Sequence, residues 1–163
     1  MKTLILVRHA KSSWDNSVLT DFERPLNERG KHDAPQMAKR LKQKELEIDL
    51  FISSPAKRAK KTAEIFMHEF DLKEKNLLTI PALYEASVEK FLEVVSDIKD
   101  KNHTVALFAH NPGLTDFINL LECYPVYEMP TCGVFALKIK SKKWKDIKDA
   151  EKEFLFFDYP KNK

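Results

Sequence analysis

Glycine is scarce in this chain, with three in 163 residues, and cysteine scarcer still, with two. Few backbone positions can therefore need a left-handed conformation, so the places where Gly30, Gly113 and Gly133 fall are informative. Cys123 and Cys132 lie outside any CxxC spacing and have no near companions for zinc, so both are expected to be reduced, incidental thiols. Apolar runs are short. None approaches the roughly 20 residues needed to cross a bilayer, which argues against a membrane span. The opening "MKTLILVRHA" imitates a leader only briefly, because its apolar part is confined to Leu4–Val7 and a charged pair ends it. A cytoplasmic location is the expectation. Neither charge sign dominates: 28 basic residues are interspersed with 25 acidic ones. Without aromatic–basic interleaving, nothing there points to nucleic acid. Repeats, low-complexity tracts and linkers are all absent. At 43% hydrophobic and 33% charged, residues 1–163 read as a single globular domain with a proper core, and a monomer is favoured.

Short apolar runs alternate with longer amphipathic stretches, the pattern of βαβ units around a mostly parallel sheet. "TLILV" suits a central strand, "IDLFISS" a second, "LLTIPALY" a third that Pro81 pushes to an edge, and "HTVALFAH" a fourth. "GVFALKIK" and "KEFLFFDY" read as late antiparallel neighbours. Between them, Asn27 is a candidate N-cap, with regular helix expected only near Pro35. Pro55 is expected at the first turn of a helix that runs through Phe70 with Ala59, Ala63, Ile65, Phe66 and Phe70 inward, and Ser87 caps a further helix. "NPGLTDFINLLE" is the fourth. The predicted fold is a three-layer α/β/α sandwich.

Two strands finish alike. "LVRHA" and "LFAHN" put His9 and His110 at carboxyl ends of apolar strands, the edge where open α/β sheets bind ligands. "SSPAKRAKKTAE" places Arg58 in the first turn of the helix after strand two, near the same edge. Arg8, His9, Arg58 and His110 converging without a matching acid call for an anion between them. A phosphoryl group fits, because guanidinium forks match its oxygens. The helix start at Asn111–Gly113 adds free N–H groups. His9 is assigned as nucleophile, Arg8 and Arg58 as clamps, His110 as a donor to developing charge, and Glu85 of "LYEAS" as general acid.

These fragments resemble the histidine phosphatase superfamily, the phosphoglycerate mutase-like fold. "RHAKSSWD", "RPLNERG", "SSPAKRAKKTA", "HNPGL" and "MPTCGVFAL" are similar to SixA-type phosphohistidine phosphatases, from Leu4 to about Pro160. The resemblance implies a phosphohistidine intermediate on His9, and a pocket completed by Arg8, Arg58 and His110 without metal or cofactor. Where the family usually has RHG, this chain has Ala10, which keeps the turn if its φ is negative.

The substrate is less determined. Only 26 residues separate Arg58 from Glu85 and 24 separate Glu85 from His110, leaving no length for a lid, so an open pocket is expected. That suits phosphate displayed on a large molecule such as a phosphohistidine-bearing protein. Lys11, Lys57, Lys60 and Lys61 would form a basic rim to steer an acidic partner. A small-molecule phosphomonoesterase or mutase, and a phosphate-recognition module that does not hydrolyse, stay open as alternatives. Gly30 and Gly133 read as turn positions, Trp14 and Trp144 as packing residues, and His32, His68 and His103 as surface histidines.

Overall fold

The computed structural model describes residues 1–162. Its first strand, β1 (Lys2–Arg8), is apolar on both faces, and a strand covered on both sides needs that composition. Leu4 and Leu6 enter one core, Ile5 and Val7 the other. The remaining strands are β2 (Leu50–Ser53), β3 (Leu78–Thr79), β4 (Thr104–Ala109), β5 (Val134–Ile139) and β6 (Lys152–Asp158), in spatial order β3-β2-β4-β1-β5-β6. β1, β4, β2 and β3 run parallel, while β5 and β6 are antiparallel. Helices α1 (Glu28–Lys42) and α2 (Lys57–Glu69) cover one face, and α3 (Val88–Ser96) and α4 (Gly113–Leu120) the other. The three-layer arrangement is as expected, with the parallel and antiparallel strands where the sequence places them.

Details differ locally. α1 begins at Glu28, not near Pro35, because Asn27 caps it by accepting the Gly30 N–H at 2.9 Å. Pro35 forfeits only the bond to the carbonyl of exposed Lys31. Gly30 lies inside this helix instead of a turn: a Cβ there would stand 2.2 Å from the Lys11 carbonyl oxygen, so the helix could not approach the loop after β1. Pro55 precedes α2, which starts at Lys57, and Ile65 and Phe70 are only partly buried while Met67 joins the core. Of "LLTIPALY" only two residues pair, after which Pro81–Leu83 form a single tight turn. Ser87 caps α3 by accepting the Lys90 N–H, and Gly133 sits in the turn before β5. Trp144 is fully buried, donating its indole N–H to Asn102 O at 2.8 Å, whereas Trp14 is 75% exposed with the Arg24 guanidinium 3.2 Å from its ring centre. The three remaining histidines are exposed, and both cysteines are free.

Candidate functional site

β1 and β4 are adjacent parallel strands with Arg8 opposite Ala109, so the next residues, His9 and His110, emerge side by side. Their ring centres lie 5.2 Å apart. The main chain of His9 is fixed from two sides: its N–H donates to Ala109 O at 3.2 Å, and its carbonyl accepts from Cys132 N–H at 3.0 Å. The imidazole then has one partner, with Nδ1 at 2.7 Å from Ala10 O. A carbonyl only accepts, so Nδ1 carries the proton and Nε2 keeps its lone pair. Burial lowers the His9 pKa to about 3; the Ala10 carbonyl opposes this, and His110, Arg58 and Arg8 add to it. The ring is therefore neutral at neutral pH, with a free nitrogen aimed away from the backbone. Ala10 holds this carbonyl in place without a positive φ, as its replacement of glycine requires.

His110 meets the same conditions by another route. Its Nε2 lies 2.8 Å from Ser54 Oγ, at the end of β2. That hydroxyl also accepts the Ala56 N–H at 3.2 Å, which leaves its own proton free to donate to Nε2. With that donation the imidazole proton sits on Nδ1, which is buried and has no partner. Burial, with Arg58 next, lowers the His110 pKa to about 4. An unpartnered buried N–H beside two arginines is a donor suited to an anion. Arg8 has a second such atom, its buried Nε, while its Nη1 donates to Met129 O at 2.8 Å.

Arg58 comes in on the second residue of α2 and is 6% exposed. Its guanidinium is held by Asp21: Nη1 donates to the Asp21 carbonyl at 2.6 Å, and Nη2 to Oδ2 at 3.0 Å. The same Oδ2 accepts the Tyr84 hydroxyl at 2.6 Å, and Oδ1 accepts Arg24 Nη1 at 2.9 Å. The Tyr84 hydrogen bond, then those of Arg58 and Arg24, hold the Asp21 carboxyl well below the usual carboxylate range. Asp21 pushes the Tyr84 phenol up to about 12. The Tyr84 ring packs edge-on against His110, with centroids 5.7 Å apart. Thr62 ties the two halves of the site together. Its hydroxyl donates to Arg58 O at 2.7 Å and accepts the Ala10 N–H at 3.0 Å.

Arg8, His9, Arg58 and His110 thus come together. Glu85, next to Tyr84, is exposed, with φ of 55°, and makes no hydrogen bond or ion pair to any of the four. Asn111 lies beside the site with its amide engaged inside the fold, donating to Met129 O at 3.0 Å and accepting from Thr115. It shares the Met129 carbonyl with Arg8 and so helps to fix that arginine's position. Lys57, Lys60 and Lys61 are exposed on α2, beside Glu23 and Glu64. Asp21, Ser54, Thr62 and Tyr84 are the residues that sequence reasoning passed over. Ser54 had a signal, lying in "SSP" at a strand end; Asp21 had only its place three residues ahead of "RPLNERG".

A cavity of about 500 Å³ lies elsewhere, with Leu50, Ile52, Leu78 and Ile80 on one part of its wall and Asp97, Lys99 and Lys101 on another. It touches none of the four residues, so it is not the candidate site. Among the described residues there is no cluster of histidine, cysteine or carboxylate side chains able to hold a metal. No helix among them is long and apolar enough to cross a membrane.

Comparison with known proteins agrees with this geometry. The family model described as "Histidine phosphatase superfamily (branch 1)" matches residues 4–112. A 2,3-bisphosphoglycerate-dependent phosphoglycerate mutase of Bartonella henselae is 34% identical over 86 residues, covering 52% of this chain and 42% of the mutase, so the match spans less than half of that protein. Among solved structures, a SixA protein from Agrobacterium tumefaciens superposes with a TM-score of 0.80 at 24% identity, covering 98% of this chain and 99% of the other. The protein histidine phosphatase SixA complexed with tungstate superposes at 0.81 and 20% identity, covering 97% of each chain. At these identities the superpositions speak to the fold.

Proposed function

Because the chain belongs to the histidine phosphatase superfamily, we propose that it removes phosphate in two steps through His9, acting on phosphohistidine displayed by a protein. In the first step the substrate phosphoryl group sits against Arg8, Arg58 and the Nδ1–H of His110. The lone pair on His9 Nε2 attacks phosphorus. A P–N bond to His9 forms as the bond to the leaving group breaks, while the surrounding donors hold the equatorial oxygens. In the second step water attacks the phosphorus of phospho-His9, the new P–N bond breaks, and inorganic phosphate leaves with the proton balance completed by solvent. No metal is called for, because the charge is met by two guanidiniums and one imidazole N–H.

One observation carries this reading: the Ala10 carbonyl fixes the His9 proton on Nδ1 and leaves Nε2 unprotonated beside two arginines. The choice of substrate rests on the acid. A nitrogen leaving group demands far less protonation than an alkoxide, and Glu85 makes no hydrogen bond to the four residues. The carboxylate that does touch them, Asp21, is held ionised and so is a poor proton donor. The test is to incubate the protein with a ³²P-phosphohistidine-bearing protein and quench in base. Acid-labile, base-stable label on the chain, absent in His9→Ala, supports the reading; release of phosphate without such label overturns it. A broad phosphomonoesterase or mutase is the second reading, favoured by the mutase match. It would show comparable turnover of alkyl phosphates and dependence on Glu85. A module that only binds phosphate would take up no covalent label.

A further inference from the structure

Arg8 faces two ways. Beside the catalytic cluster it also borders a surface basin of about 540 Å³, whose walls carry Lys11, Arg29, Lys161, Tyr159 and Glu128. Four cations line this basin against one carboxylate, and that carboxylate, Glu128, is 65% exposed and only approaches Arg8, at 4.0 Å. Arg29 is partnered with Asp33 at 3.3 Å, on the side of α1. Lys11 and Lys161 have no ion pair among the described residues.

The far wall is built, which a chance cluster of surface lysines would not require. Arg40, on α1, donates from Nη1 to Asp158 Oδ1 at 3.3 Å, to Tyr159 O at 3.1 Å and to Asn162 O at 3.0 Å; its Nη2 donates to Pro160 O at 3.3 Å. Asp158 closes the turn by accepting from Tyr159 N–H and from Asn162 Nδ2. One guanidinium thus pins the segment after β6 so that Lys161 and Tyr159 stand across from Arg8. Backbone carbonyls held this way lose their freedom, and the lysine stem starts from a fixed point.

We propose that this basin is a second-anion subsite, which takes a carboxylate or further phosphate of the substrate while Arg8 holds the phosphoryl group that reacts. The inference rests on the phosphatase reading of the neighbouring site and goes beyond it. It says that substrates bear a second negative group on the Arg8 side, and that singly charged phosphoryl compounds are bound less tightly. The cations add attraction without entering the chemistry, so their effect falls on affinity and not on the rate of transfer.

Two inert probes test it by calorimetry: methylphosphonate, which offers the phosphonate alone, and 3-phosphonopropionate, which adds a carboxylate. The expected result is about tenfold tighter binding of the second probe, since three partly exposed cations each contribute modestly. In Lys11→Ala/Arg29→Ala/Lys161→Ala that ratio falls to near one, with methylphosphonate affinity changed less than twofold. Arg40→Ala, which removes no cation from the basin, also reduces the ratio by releasing the wall. Equal binding of both probes to the unaltered protein, or an equal loss for both in the triple variant, overturns the proposal. Neither probe is hydrolysed, so the ratio can be read even if the protein turned over no phosphorylated compound; failure of the phosphatase reading is thereby seen separately. Phosphohistidine peptides with aspartate or alanine beside the histidine identify the source. A higher kcat/KM for the acidic peptide, lost in the triple variant, assigns the anion to a protein substrate. Equal peptides with a retained probe ratio assign it to a small metabolite.

Discussion

Replacing Asp21 with asparagine separates two effects that its carboxylate exerts at once. Asparagine keeps the shape and one acceptor, and the main-chain bond from Arg58 Nη1 survives. What disappears is the charge that meets Arg58 Nη2, Arg24 Nη1 and the Tyr84 hydroxyl at 3.0, 2.9 and 2.6 Å. Charge-assisted bonds of this kind contribute about 1.5–3 kcal/mol each when shielded. The Asp21 side chain is 45% exposed, so screening reduces their combined effect on stability to about 1–2 kcal/mol. The second effect is on the anion. A carboxylate and a phosphate sharing one guanidinium stand about 5 Å apart, which at an effective dielectric constant near 20 is a repulsion of about 3 kcal/mol per pair of unit charges. Halved or more by solvent, it leaves about 1 kcal/mol, roughly fivefold in affinity. D21N should therefore bind inorganic phosphate about fivefold more tightly while its kcat falls about tenfold, because Arg58 loses an anchor and product leaves more slowly. Product inhibition and steady-state turnover of phosphoramidate at pH 7.5 measure both. The stability difference has its own signature. The folded-state pKa of Asp21 is depressed, so the difference from D21N is complete above the ordinary aspartate value near 3.9 and shrinks as the pH drops below it. Unchanged phosphate affinity together with unchanged kcat would refute this account of Asp21.

Other substitutions test the remaining parts. Ser54→Ala frees the His110 tautomer and should lower kcat about tenfold with little change in KM, while Ser54→Thr, which keeps the hydroxyl, restores most of it; steady-state kinetics decide. Glu85→Gln should alter kcat on a phosphohistidine peptide by less than about threefold, and a loss near 100-fold would return the general-acid role to it. His9 and His110 both have folded-state pKa values below the ordinary 6.5, at about 3 and about 4. The unfolded chain therefore binds protons first, and stability present above pH 6.5 declines on acidification by up to about 1.4 kcal/mol per pH unit for each. Urea midpoints between pH 7.5 and 4.5 should show this slope, flattened in His9→Gln/His110→Gln. Gly30→Ala drives a methyl into the Lys11 carbonyl, at 2.2 Å from its oxygen, and should cost about 2–4 kcal/mol in thermal or urea unfolding.

Strand ends were readable because apolar runs that stop at a cation are unusual, so Arg8, His9 and His110 stood out along the chain. Arg58 is readable from its place in the first turn of a helix. Their proximity required that β1 and β4 be neighbours, which the alternation of strands and helices does not specify. Asp21 and Tyr84 carry no comparable mark. Asp21 lies on an irregular stretch with no period, and Tyr84 follows a two-residue strand, so only the folded path brings them 63 positions together onto one carboxylate. Pro35 misled for a related reason. A proline usually marks a helix start, but one lost bond at an exposed carbonyl is cheap when Asn27 has already capped the helix. Glu85 is readable from its place after the third strand and from the resemblance, but its left-handed backbone at the surface is something the sequence does not convey.

The strand that carries His9 lies in the middle of the sheet, between β4 and β5, and the carbonyl of His9 is held by the N–H of Cys132. The partners of this strand lie far along the chain: β4 pairs with it 101 positions on, and β5 later still. A chain without Cys132 and β5 would carry every arginine and histidine of the centre but lack the N–H that holds the His9 carbonyl. The site is thus complete only when the sheet is closed on both sides of β1.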